Sequence, residues 1–381
     1  MDACSASKKF KPRSFDGWAL EALLQWGGKD GTDLLRRVLV GSPLRRQVTF
    51  LTLSYLQSDT GSEIKDRLRM LADPVCWASN PDAEISFVLG SRRARDITNA
   101  LFGRVEGLVG ALSRLGDDPM HPVKYKQLIE LLSCATSNRT KVLRQLEAIT
   151  PVSLMVLQLL DDSFIHPEIV RRFATTGQVL DFNSTVRLIR RVVPQVSDEE
   201  LLSSLKAVSG MRSGAATFAQ RWLTKAVFEN PPPIQDDDEL VALRSGEAMI
   251  DAANRFSNCL KSKIADVCVG QAYYLEFKQR PAIIELQNLS DGHWLWEQLY
   301  APKNGYVSPE LLSQVLHKLS GTGILLPARL DHAQRNNGAA RLLRVLDHDL
   351  TDMVLLEIGG ERLEEPDAEE SFPLSITRDA A

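Results

Sequence analysis

Residues 272–300 read AYYLEFKQRPAIIELQNLSDGHWLWEQLY. Three short runs in this stretch, Ala272 to Phe277, Pro281 to Gln287 and His293 to Tyr300, are rich in aromatic and β-branched residues. Lys278-Gln279-Arg280 and the polar cluster from Asn288 to Gly292 separate them. Pleated surfaces favour such residues and turns favour such separators, so the stretch predicts a three-stranded meander. Upstream, Ser245 to Val267 places Met249, Ala252, Ala253, Phe256, Leu260, Ile264 and Val267 along one helical stripe. Downstream, Ser308-Pro309 is an N-cap followed by proline at the first helical position, opening a helix to Leu319. Helix, three strands and helix in that order define an α+β domain.

From Ser14 to Phe228 the apolar period changes to three and four, as in Leu34, Leu35, Val38 and Leu39, or Leu128, Leu131, Leu132 and Ala135. That spacing buries one face of a helix, and strand-like alternation is rare. Thr150-Pro151 and the Ser197/Glu200 capping box mark helix starts. The fold class expected is therefore α+β but predominantly α-helical. The chain divides into a basic flexible N-terminus (1–13), an all-helical domain (14–228), an acidic proline-rich linker (229–239), the α+β domain (240–358) and an acidic tail (359–381). Pro231, Pro232 and Pro233 block helix there, and Asp236, Asp237, Asp238 and Glu239 repel one another, which is why that stretch reads as a linker. A helix near Ala339 to Leu346 and a strand near Met353 to Ile358 complete the expectation.

The 381 residues exceed what one hydrophobic core usually serves, and 44% hydrophobic with 25% charged residues is a globular composition. The net charge of -4 is unevenly spread. Residues 1–228 carry 31 Lys+Arg against 24 Asp+Glu, and the remainder 14 against 25. Five widely spaced cysteines fit reduced thiols, and the absence of a signal-like or 18-residue apolar run predicts a cytoplasmic protein with no membrane partner.

Gly-rich phosphate loops, Cys-x-x-Cys, His-Glu-x-x-His and Gly-x-Ser-x-Gly are all absent. The six histidines are scattered, so neither a metal nor a cofactor is expected. Five Arg-Arg pairs occur before residue 228, and those at Arg36-Arg37, Arg45-Arg46, Arg92-Arg93, Arg171-Arg172 and Arg190-Arg191 are candidates for a phosphate-binding face. On the helix from Ser184, Arg187, Arg190 and Arg191 share one surface opposite Val186, Ile189, Val192 and Val193. A solvated helix face explains that spacing equally well, and no base-reading motif accompanies it.

Asn258-Cys259-Leu260, then Tyr273-Tyr274, then Ala282 to Leu286 with Glu285, then Glu297 to Asn304 with Gln298 form a further pattern. About a sixth of the chain, residues 245–307, resembles the C-terminal domain of the PcfJ-like family of plasmid- and phage-borne bacterial proteins. That domain has a cysteine-bearing helix, a glutamate on a strand and a Gln followed by an Asn six residues on. Asn258 stands where the family commonly has His, and Ala301-Pro302 where it has Gly. The resemblance implies an association with mobile elements and no defined activity.

Cys259, Glu285, Gln298 and Asn304 are thus the candidate site residues. With Phe256 and Leu260 beside it, Cys259 is expected on the buried side of its helix. A carboxylate nearby raises a thiol pKa, and with no His or Lys in view the sequence makes Cys259 an inert thiol. The leading reading is a non-enzymatic protein that binds another macromolecule, a protein in preference to nucleic acid. Its alternatives are a nucleic-acid-binding protein and an enzyme centred on Cys259.

Overall fold

The computed structural model describes residues 12–27, 34–72, 81–208, 210 and 214–326. The elements expected near Ala339 to Leu346 and Met353 to Ile358, and the acidic tail, lie outside these. The chain forms two units that divide between Leu223 and Thr224. The first is wholly helical among its described residues: α1 Trp18–Gly27, α2 Leu34–Leu39, α3 Pro43–Leu56, α4 Gly61–Arg69, α5 Pro81–Ser91, α6 Ala94–Phe102, α7 Leu108–Leu112, α8 Pro122–Ser133, α9 Asn138–Gln145, α10 Pro151–Leu159, α11 Pro167–Val170, α12 Thr176–Val192, α13 Asp198–Lys206 and α14 Gly214–Leu223. In the second unit come β1 Leu240–Ala242, α15 Gly246–Phe256, α16 Ile264–Cys268, β2 Ala272–Phe277, β3 Ala282–Asn288, β4 Trp294–Tyr300 and α17 Pro309–Ser320.

Helix starts follow the capping residues. Thr150 with Ser153 and Ser197 with Glu200 form reciprocal boxes, and Ser42, Ser245 and Ser308 each accept from the third residue of their helix. The central element of the first unit is α3, whose residues Arg46 to Ser54 are all buried. A buried arginine needs hydrogen-bond partners, and Arg46 has them at two of its three nitrogens. Arg46 Nε donates to Asp117 O at 3.0 Å, Nη1 to Arg13 O at 2.8 Å, and the guanidinium lies 5.1 Å from the Phe15 ring centroid. Gln47, next to it, donates to Gly116 O and Asp118 O and accepts from the Tyr125 hydroxyl at 2.6 Å. Arg46 therefore belongs to the core rather than to a phosphate-binding face.

The sheet has four antiparallel strands in the order β1-β2-β3-β4, one more than the meander. The added strand, β1, directly follows the stretch read as a linker. Asp237 Oδ1 accepts from the amides of Glu239 and Leu240, Asp236 Oδ1 accepts from Ala242, and Lys318 on α17 reaches both Asp237 and Glu239 at 2.7 Å. The carboxylates that repel one another in isolation are held by one lysine, by Arg244 on Asp236 at 3.1 Å and by three amides, and the segment leads into the edge strand of the sheet. Hydrogen bonds from Lys318 and from those amides hold the Asp237 pKa down to about 2.

The helix expected from Ser245 to Val267 is broken. Ser257 takes left-handed angles (φ 51, ψ 49) and ends α15 at Phe256. The Asn258 side chain then accepts from the Leu260 amide at 3.1 Å and opens a 3₁₀ turn, Leu260–Lys263, before α16. Two short polar residues in a row offer the backbone local partners that compete with the helix.

Candidate functional site

A β-bulge decides which side chains meet. Across β3 and β4, Glu285 pairs with Gln298 and Leu286 with Trp296, so Glu297 is the extra residue. Strict alternation would set Trp294, Trp296, Gln298 and Tyr300 on one face. With the extra residue, Trp294 and Trp296 stay on the face of Leu286, and Gln298 and Tyr300 turn to that of Glu285. Tyr274 on β2 pairs directly with Glu285 and shares that face.

Glu285 is 9% exposed. Its Oε1 accepts from the Tyr274 hydroxyl at 2.5 Å, its Oε2 accepts from the Tyr300 hydroxyl, and Lys263 Nζ stands 3.8 Å from Oε1. Burial first, and then the hydrogen bond and charge of Glu285, push the pKa values of both tyrosines above their ordinary value, so both remain protonated donors. Gln298 Oε1 lies 3.0 Å from the Tyr300 oxygen. One hydroxyl carries one proton, which Glu285 takes, so the Gln298 contact is satisfied when its amide group presents nitrogen to Tyr300.

Over this network lies a small cleft lined by Asn258, Cys259, Leu260, Lys263, Tyr274, Tyr300 and Asn304. The chain reaches it from three places: the turn after α15, the sheet, and a 3₁₀ turn at Pro302–Asn304. The three non-glycine residues with positive φ among those described are Ser257, Lys303 and Asn304, all in the two turns that frame the cleft. Such conformations cost about 1–3 kcal/mol each and persist only where surrounding structure imposes them.

All four candidates from the sequence come to this end of the sheet. Cys259 and Asn304 line the cleft, Glu285 anchors its floor through two tyrosines, and Gln298 touches one of those tyrosines. Cys259 is not on the buried side of a helix, because α15 stops three residues earlier; its side chain is exposed. Nor is it without a cation, since Lys263 lines the same cleft. Sequence reading missed Lys263, Tyr274 and Tyr300. The four-residue spacing from Cys259 to Lys263 and the hairpin register setting Tyr274 against Glu285 were the signals available.

On α12, Arg187 and Arg191 are exposed and Arg190 is withdrawn. Arg190 Nη1 donates to Asp161 Oδ2 at 2.6 Å, Nε and Nη2 to Asp198 Oδ1 at 2.9 and 2.7 Å, and Nη2 also reaches Ser163 Oγ at 3.1 Å. Hydrogen bonds from Arg190 lower the Asp161 pKa; Ser163 first and then Arg190 lower that of Asp198. Arg190 thus ties α12 to the turn before α11 and to the start of α13, and its donors are spent on protein groups.

Among the described residues no cluster of His, Cys, Asp and Glu could hold a metal ion, and no helix is long and apolar enough to cross a membrane. No protein-family model, curated protein or solved structure matches the chain.

Proposed function

We propose that the chain is a macromolecular-interaction protein of the bacterial cytoplasm, associated with a plasmid or other mobile element, whose C-terminal unit engages its partner at the Cys259 cleft. The observation that carries the reading is the convergence of a thiol, an ammonium and a carboxamide, Cys259, Lys263 and Asn304, over a buried carboxylate held by two tyrosines. The Glu285 carboxylate is engaged by two tyrosine hydroxyls and sets the floor, and Cys259, Lys263 and Asn304 line the space above it. The closed part of the cleft has room for about one water-sized group, which suits the polar end of a side chain better than a whole metabolite. The likeness of residues 245–307 to PcfJ-like proteins supports the mobile-element association.

Tagged full-length protein and a Lys263→Met/Asn304→Ala variant, recovered from a bacterial host, test this by quantitative mass spectrometry. A partner recovered with the unaltered chain and depleted about tenfold or more with the variant, but kept by Lys261→Met, is expected. Identical recovery with both chains contradicts the reading.

One observation favours a second reading, an enzyme using Cys259. Lys263 brings a cation into the same cleft as the thiol, which the sequence reading lacked. Turnover abolished by Cys259→Ser, with binding retained, would distinguish it from the first.

A further inference from the structure

Three of the five Arg-Arg pairs each send a member, Arg37, Arg45 and Arg93, toward one place that sequence spacing does not show. Gly90 lies in the last turn of α5, and a Cβ added to it would come within 2.7 Å of Arg37 Nη1 and 2.9 Å of its Cδ, so the Arg37 side chain from α2 crosses this turn. From α3, Arg45 Nη1 donates to Leu89 O at 3.1 Å and also to Arg92 O. Arg92 follows α5 directly, and the exposed Arg93 is the N-cap residue of α6. The guanidinium groups of Arg37 and Arg45 therefore reach the end of one helix, and the exposed Arg93 stands two residues beyond it.

Their charges are not balanced locally. Arg37, Arg45 and Arg93 make no ion pair with a carboxylate among the described residues, whereas Arg67, Arg69, Arg139, Arg144, Arg171 and Arg190 in the same unit each do. The carbonyl end of α5 accounts for Arg45, since cations are stabilised there. It leaves Arg37 and Arg93 without a partner of their own. Bringing such groups together costs repulsion that an incoming anion relieves.

We infer that this cluster grips the phosphate backbone of a nucleic acid. Every cation in it is arginine, whose planar fork matches phosphate oxygens two at a time. The excess of Lys+Arg over Asp+Glu in residues 1–228 draws a polyanion toward the same unit. Backbone contacts of this kind position without reading sequence, which agrees with the lack of a base-reading motif. The site differs from the α12 face expected from spacing, where Arg190 is occupied.

The test uses the full chain and fluorescence anisotropy with labelled duplex DNA, single-stranded DNA and RNA across a range of salt concentrations. Binding at low salt is expected with a steep salt dependence. Arg37→Ala with Arg93→Ala should lower the slope of log affinity against log salt by about two units and weaken binding about tenfold or more. Arg93→Glu alone, at an exposed position that leaves the Arg37–Gly90 packing intact, should weaken binding by a similar factor. Arg187→Ala with Arg191→Ala should have the smaller effect. The inference is overturned by absence of binding at low salt, by an unchanged slope in the double variant, or by displacement of the nucleic acid by polyglutamate at equal charge concentration, which would make an acidic protein the occupant.

Discussion

Tyr274 and Glu285 sit directly opposite each other on neighbouring strands and are joined by a 2.5 Å hydrogen bond from hydroxyl to carboxylate. The pair, closed by Tyr300 on the next strand, converts three strand positions into the floor of a cleft. Removing the carboxylate leaves the buried Tyr274 hydroxyl without its acceptor and takes one of two partners from Tyr300. Glu285→Ala should therefore destabilise the protein by about 2–4 kcal/mol, and Tyr300→Phe by about 1 kcal/mol, measured by urea unfolding followed by circular dichroism. A cost for Glu285→Ala below that of Tyr300→Phe would show that the carboxylate is not the hub.

The same network has a pH signature. Both tyrosines have folded pKa values above the unfolded value of about 10. The unfolded chain loses those protons first, so it binds fewer than the folded chain above about pH 10, and stability falls as pH rises. Each tyrosine contributes a slope of about 1.4 kcal/mol per pH unit in that window. Tyr300→Phe should remove one such contribution from the alkaline limb of the stability curve, and an unchanged limb would contradict the assignment.

Arg190 bridges Asp161 and Asp198, and all three are partly open to solvent, which limits what the contact contributes. Arg190→Ala should cost about 1–2 kcal/mol near neutral pH. Both aspartates have lowered folded pKa values, so this stabilisation is present above the unfolded value of about 4 and is lost as pH falls below it. The gap between the original chain and Arg190→Ala should accordingly narrow in acid. A gap that stays the same in acid would mean the arginine acts through packing alone.

Hydrogen exchange should report that the acidic stretch is folded. The Leu240 and Ala242 amides donate to Asp237 and Asp236, so both should be protected, and Asp236→Ala should release Ala242 selectively. Free exchange at both amides in the unaltered chain would restore the linker reading.

How legible was this in the sequence? The period of apolar residues separated a helical region from a strand-bearing one, and Thr150, Ser197, Ser245 and Ser308 marked helix starts where the backbone adopts them. The fourth strand was hidden because its residues follow four acids, and the partners that make them tolerable include Lys318, some eighty positions away. The break at Ser257 was hidden because Leu260, Ile264 and Val267 continue the apolar stripe past it. In the site, Cys259, Glu285, Gln298 and Asn304 could be named but not arranged. The bulge at Glu297 that turns Gln298 and Tyr300 toward Glu285 leaves no signal in hydrophobic alternation. Likewise the spacing of Arg187, Arg190 and Arg191 showed a shared surface but not the two aspartates that claim one of them.

The most direct measurement of the cleft is the alkylation rate of Cys259 in the folded protein, resolved by peptide mass spectrometry at neutral pH. Cys134 is an exposed thiol and Cys268 a buried one, and they bracket the range within the same molecule. The exposed Cys259 should react at a rate close to that of Cys134 and far faster than Cys268. A rate for Cys259 as low as that of Cys268 would mean that the thiol is sealed within the fold instead of lining an open cleft, and would contradict the account.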